Sequence, residues 1–312
     1  MLLNAIKQLR SKGVLGINKR NSDFIFEYND RKFYPRADDK ILCKRLAIEA
    51  GIAVPELYCV ISSTGEIGQR LPELSKLGKF VIKPANGSGG EGIVVIDGTD
   101  GENFRKSDGQ IVDEDFMRFH ISDIIYGLYS LGGQPDRAMI EYRVNFDPVF
   151  EKVTYQGVPD VRIIVFQGVP VMGMLRLPTK MSSGRANLHQ GAIGAGIDFK
   201  TGKTLGGVWQ DKPVNVHPDT GVNVSGLSIP NWKDILELAS RCYDFSNLGY
   251  LGADIVLDRD KGPLMLEINA RPGLAVQIAN REGLELKLEK VKANIHWLGT
   301  TEEKVIFSML YV

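Results

Sequence analysis

Apolar positions along the chain recur at helical spacing in three places and in short continuous runs elsewhere. Between residues 38 and 50, Ile41, Leu42 and Leu46 share one face; Asp38 stands where a helix cap belongs, and Gly51 ends the segment. A second helix is expected over 115–131, with Phe116, Ile121, Ile124, Ile125 and Leu128 inward and Gly132-Gly133 as the stop. A third is expected over 232–242, where Trp232, Ile235, Leu236 and Ala239 form a stripe behind Pro230. Short runs at 80–83, 93–96, 139–144, 161–166 and 169–175 read as strands, and 252–269 as a hairpin. The stretch 176–230, rich in Gly, Ser, Asn and Thr, reads as substrate-facing loops, and the apolar tail 305–312 as an added strand or an interface. Strands interleaved with a few helices and many glycines give an α+β class.

Composition narrows the function. The chain has 312 residues, enough for two closely packed lobes, and 38 basic against 38 acidic side chains leave no net charge. A disulfide-stapled miniprotein, a disordered chain and a bulk polyanion binder are therefore excluded as classes. Cys43, Cys59 and Cys242 are odd in number and lack metal-ligand spacing, and the four histidines add no zinc motif, which points to a reducing compartment. The apolar stretch before Gly13 is short and broken by Lys7, Arg10 and Lys12, and no window approaches the ~20 apolar residues that span a bilayer. The expectation is a soluble cytoplasmic protein with no nucleic-acid partner and no membrane insertion.

Gly87-Ser88-Gly89-Gly90-Glu91-Gly92 satisfies G-x-G-x-x-G, yet a strand follows it where the dinucleotide fingerprint needs a helix. Between two strands, such a segment is either an ordinary glycine-rich turn or a flap whose backbone N–H groups close over phosphates. A Walker A loop at Gly202-Lys203-Thr204 fails because Ile197 stands where its first glycine belongs. A protein kinase fails because Lys83 precedes the loop and the H-R-D and D-F-G segments are missing. Lys83 ends an apolar strand, where it either reaches solvent or meets a negative partner such as a phosphate.

The hairpin carries a sharper signal. If Arg259 and Gly262 close a two-residue turn, Asp254 faces Glu267, with Asn269 and Met265 on the same side. Ala253, Ile255, Leu257, Leu264, Leu266 and Ile268 then form the apolar side. Two opposed carboxylates repel unless a cation lies between them, and an all-oxygen set suits magnesium. The alternatives are a solvated polar face, or paired carboxylates for glycoside cleavage, in which neither the asparagine nor the glycine loop has a role.

These segments together resemble the ATP-grasp superfamily, most closely its RimK-like branch of glutamate ligases. The resemblance rests on Asp39-Lys40, Phe80-Val-Ile-Lys83-Pro84 with the glycine loop, Ile140-Glu141-Tyr142, Asp160-Val-Arg162, Arg185-Ala-Asn187 and Leu266-Glu267-Ile-Asn269-Ala-Arg271-Pro-Gly, and spans roughly residues 36–280. It implies an ATP-grasp fold of two α+β lobes with the nucleotide between them. Lys40 and Lys83 would contact phosphates under the flap at Ser88, Gly89 and Gly90. Glu141 would accept from the adenine amino group, with the backbone at Tyr142 and Val144 beside the ring. Asp254, Glu267 and Asn269 would hold magnesium, or manganese in its place. Arg162 and Arg271 would hold the transferred phosphoryl group and a substrate carboxylate, with Asn187 beside them. Simple alternation across the 161–175 hairpin sets Arg176 on the face opposite Arg162, so it ranks below Arg162 unless a bulge intervenes. His189 is only a neighbour.

The chain departs from the family pattern in having about 37 residues before Asp38, where a substantial N-terminal domain is usual. The implied organisation is a short N-terminal segment 1–37, an ATP-grasp domain 38–285 with its nucleotide lobe at about 75–145, and a tail 286–312. The ribose-binding acid would be Asp147, Glu151 or neither. The implied activity is ADP-forming ligation of an amino acid, glutamate being the family's choice, to a peptide or small carboxylate acceptor through an acyl phosphate. A partner, a second copy of the chain or the region 176–230 would complete the acceptor site. The rival readings are a nucleotide-binding regulatory subunit and a phosphoryl transferase that stops at a phosphorylated product.

Overall fold

A computed structural model describes residues 2–87, 89–101 and 103–312. The chain divides into two units, one of Asp39–Ile41 with Pro55–Asn145, the other of the N-terminal residues to Asp38, Leu42–Val54 and Phe146–Val312.

In the first unit, six strands among the described residues form one antiparallel sheet: β1 (Leu57–Ile61), β2 (Phe80–Pro84), β3 (Val94–Asp100), β4 (Asn103–Lys106), β5 (Ile111–Val112) and β6 (Ala138–Tyr142), in the order β1-β6-β2-β3-β4-β5. One face is covered by the helices Thr64–Leu77 and Glu114–Ile125, which bury Leu71, Leu74, Met117 and Ile121 against Phe80, Ile82 and Ile140. Each such side chain contributes about 1.5–3 kcal/mol on leaving water. Asp113 caps the second helix by accepting from the Phe116 N–H at 2.9 Å. That helix stops earlier than its apolar pattern predicts, because Gly127 turns the chain at φ 84°. Leu128 therefore lies beyond the helix and is exposed, not inward.

In the second unit, seven strands make another antiparallel sheet: β7 (Asp160–Phe166), β8 (Val169–Leu177), β9 (Ile193–Asp198), β10 (Lys203–Trp209), β11 (Lys212–Val214), β12 (Tyr250–Asp258) and β13 (Gly262–Asn269), in the order β11-β10-β9-β8-β7-β12-β13. Both faces are buried. Val161, Ile163 and Val165 join the helix Trp232–Ser246 in one core, while Ile164, Phe166 and Met174 join Val276, Leu288 and Val291 from the helices Ala275–Asn280 and Glu285–Asn294 in another. Leu15, Phe24 and Ile25 complete that second core. Asn29 fixes their segment by accepting from the Tyr250 N–H and donating to the carbonyls of Tyr250 and Ala270.

Several expectations need correction. Asp38 is not the cap of the first predicted helix; the chain breaks between Pro35–Asp38 and Lys40–Glu49, and Asp39 accepts from the Ile41 N–H. Residues 176–230 are not simply loops, since β9, β10 and β11 lie within them. The tail is not a strand but the helix Thr301–Tyr311, begun by a Thr300–Glu303 capping box and tied by Ser308, which donates to the Pro170 carbonyl.

Candidate functional site

In the first unit the glycine loop springs from the end of β2. Lys40 donates to the Gly87 carbonyl at 2.5 Å, and Gly87 bridges Ser130. At the other end, His120 Nε2 lies 3.0 Å from the Gly92 carbonyl and its ring stacks on Phe116. Gly92 has φ 71°, and a Cβ there would fall 2.6 Å from the Tyr129 ring, so only glycine fits. Gly89 and Gly90 adopt φ 66° and 78°, which few other residues would tolerate. Ser88 lies outside the described residues. Lys83 is buried and pairs with the buried Glu141 carboxylate at 2.5 Å, which removes the solvent-reaching alternative for this lysine. The Tyr142 N–H belongs to the backbone network, donating to Glu56, and Val144 is buried.

In the second unit the sheet gathers four charged side chains on one face. Arg162 forks onto Asp254, Nε to Oδ1 at 2.6 Å and Nη2 to Oδ2 at 2.5 Å. Arg176 forks onto Asp160 at 2.5 and 2.7 Å and also reaches Asp254 Oδ2 at 2.8 Å. All four share a face because a bulge between Ile164 and Val165 shifts the β7–β8 register, so that Asp160 opposes Arg176. Arg176 therefore belongs beside Arg162, against the ranking that simple alternation suggests. Burial opposes charge on Asp254, but the two guanidiniums outweigh it and hold the carboxyl at about 2. Asp160 is pushed up to about 6 by burial and by the Asp254 charge, with Arg176 pulling the other way.

Asp254 does oppose Glu267, and Gly252 opposes Asn269, but by a different route from the predicted turn. The loop between Asp258 and Gly262 holds three residues, and a bulge beyond Asp254 absorbs the extra one. The apolar faces change accordingly: Met265 enters the core with Ala253, Ile255, Leu257 and Ile268, whereas Leu266 is only half-buried. Asn269 Nδ2 approaches Asp254 Oδ2 at 3.4 Å. The donor chemistry of Glu267, Asn269 and Asp254 is all oxygen and suits magnesium, which takes one or two carboxylates together with phosphate oxygens. Among the described residues no group of three His, Cys, Asp or Glu side chains is assembled around one point, so a metal here would draw on the amide and on bound phosphate.

The remaining expected residues sit in this same unit. Arg271 stacks on Tyr34 at 4.8 Å and pairs with Asp38 at 3.0 Å, half-exposed. Asn187 uses its carbonyl oxygen to accept from the His189 N–H, capping the short turn Leu188–Gln190. Asp147 likewise caps a turn through the Val149 N–H, and Glu151 pairs with Arg259. Residue-by-residue reading ranked Arg176 below Arg162 for want of a bulge, and missed His120 as an anchor of the loop. For Arg176 the only sequence signal would have been the bulge that alternation cannot see.

Comparison with known proteins gives one family. The model for sugar-transfer associated ATP-grasp proteins matches residues 19–293. No curated protein matches the chain. Among solved structures, the ATP-grasp ligase PsnB complexed with a minimal precursor is 14% identical, with 86% of this chain and 63% of PsnB covered at a TM-score of 0.45. The D-cycloserine synthetase DcsG is 14% identical, with 84% and 71% covered at 0.45. D-alanine–D-alanine ligase from Bacillus anthracis, complexed with ATP, is 13% identical, with 88% and 66% covered at 0.44. The chain thus spans less than two thirds of the length of PsnB. With two antiparallel sheets in the α+β class and a family model covering most of its length, the chain belongs to the sugar-transfer associated ATP-grasp family.

Proposed function

We propose that the chain is an ATP-dependent carboxylate–amine ligase. The carrying observation is the charged face of the second unit, where two arginines and two carboxylates stand beside Glu267 and Asn269. A carboxylate resists amines because oxide is a poor leaving group. Transfer of the γ-phosphoryl group to it gives an acyl phosphate and ADP. The amine then forms the C–N bond, inorganic phosphate leaves with the C–O bond, and the nitrogen gives up a proton. Such chemistry needs positioning and charge neutralisation more than a covalent nucleophile. In this reading Lys40, Lys83, Gly89, Gly90 and the loop residue Ser88 bind phosphates, and Glu141, Tyr142 and Val144 border the base. Arg162, Arg176 and Arg271 hold the phosphoryl group and the substrate carboxylate, with Asn187 nearby. Magnesium, or manganese, held by Glu267, Asn269 and Asp254, would neutralise phosphate charge.

The RimK-like subtype and glutamate as the amino acid rest on the sequence segments alone, and a cytoplasmic setting on the cysteine usage. The family description names an association with sugar transfer, not an acceptor. The test is magnesium-dependent ATP consumption against pooled amino acids and carboxylate acceptors, with products read by mass spectrometry. ADP, phosphate and a new amide are expected together, and Glu267→Ala should lower turnover at least 100-fold while leaving the circular dichroism spectrum unchanged. A phosphorylated product without an amide, or ATP binding without turnover, would overturn the ligase in favour of a phosphoryl transferase or a regulatory subunit.

A further inference from the structure

On the charged face of the second unit, the cross-strand registers form a continuous row. Val208 opposes Gly194, Gly194 opposes Arg176, and Arg176 opposes Asp160. Paired residues in a sheet point to the same side, so all four positions share one face. Val208 is two strands from Arg176, or about 10 Å. Gly194 leaves a gap in the row, which is filled from above: a Cβ there would fall 2.6 Å from Leu188 and 3.5 Å from Ala279.

Over the Val208 end of this row lies a cavity of about 340 Å³, within the range of small-ligand pockets. Its walls are Met181, Leu188, Ala192, Val208, Ala275 and Ile278. Trp209 and Thr179 both donate to the Gly191 carbonyl and fix the wall beside it. The polar lining is Gln210, His189 and Asp211, and among the described residues no lysine or arginine borders the space.

Gln210 and Asp211 are the two central residues of the β10–β11 turn, with φ 49° and 59°. A two-residue hairpin turn of this hand favours Asn-Gly or Asp-Gly. Here both positions carry a side chain in the left-handed region, and both border the cavity. Strain of this kind persists where the side chains have a use.

Resting on the ligase reading, we propose that this cavity binds the amine-donating substrate, and that the substrate is an amino acid with an apolar side chain whose ammonium group faces Asp211. Glutamate, the amino acid suggested by the sequence segments, fits this lining poorly. Its side-chain carboxylate would lose water against apolar walls with no cation to receive it, and would approach the like charge of Asp211. A leucine or phenylalanine side chain meets the aliphatic walls without that penalty.

Saturation-transfer difference NMR on the full chain, titrated with L-leucine, L-phenylalanine and L-glutamate, tests this directly. Transfer to the side-chain protons of leucine or phenylalanine should exceed that to glutamate at least about tenfold at matched concentration. Ile278→Trp, which fills the cavity from a half-exposed position, should abolish it, and Asp211→Lys should weaken it by a similar factor. Equal transfer to glutamate, no saturable transfer to any of the three, or signals unchanged in both variants would overturn the assignment. Saturable apolar binding without any ATP turnover would remove the ligase and leave the cavity. Glutamate-dependent turnover indifferent to Ile278→Trp would keep the ligase and remove the cavity.

Discussion

Arg176 holds two carboxylates at once, and this shapes the chemistry around it. Its fork onto Asp160 and its reach to Asp254 link two positive and two negative groups in one chain of ion pairs, of which Asp160, Arg176 and Asp254 are buried. Such an arrangement adds little net stability but is costly to break, because the charge left behind has nowhere to go. Asp160→Ala should therefore destabilise the protein by about 3 kcal/mol, seen as a lower urea midpoint, with Asp254 limiting the loss by retaining its contact to the guanidinium. Arg162→Lys should not substitute at its own position, since one ammonium cannot reproduce the fork on Asp254. The residue types of this cluster were legible in Asp160-Val-Arg162 and in the hairpin. Their common face was not, because a bulge changes which neighbours meet without changing composition.

At the level of elements, the glycine loop is fixed at both feet, by Lys40 and Ser130 at Gly87 and by His120 at Gly92. Burial holds the His120 imidazole below its usual value of 6.5, against the opposing pull of the Gly92 carbonyl. The unfolded chain then takes up the proton first, so the stabilisation is complete above pH 6.5 and is lost as pH falls below it. NMR titration should find His120 titrating below 6.5, and His120→Phe should shrink the drop in urea midpoint between pH 7 and pH 5. The loop and its strands were legible because apolar runs bracket the glycines. Strands β9 and β10 were not, because Gly194, Gly196 and Gly207 stand where side chains of an apolar strand would be expected. Leu188, Asn280 and Ile193 occupy the space that those side chains would need. The tail misled differently: apolar residues at 305–312 suggest a strand, but Thr300 and Glu303 start a helix.

Across the whole molecule, the second sheet is covered on both faces, and one cover comes from the start of the chain. Leu15, Phe24 and Ile25 lie against Phe166, Tyr250 and Val276, with Asn29 closing three backbone hydrogen bonds near Tyr250. Asn29→Ala would leave those buried groups unmatched and should cost about 3 kcal/mol in chemical denaturation, more than its removed volume explains. Nothing in the local pattern of residues 13–34 signals this role, because their partners lie so far along the chain. The Leu15 N–H, for instance, is received by Gln277, 262 positions away. During synthesis at about 5–20 residues per second, that amide waits roughly 13–50 s before its acceptor exists. Leu15, Phe24 and Ile25 are thus made well before the partners that shelter them, so slowed elongation or a shortage of chaperone should send this chain to aggregates through that segment.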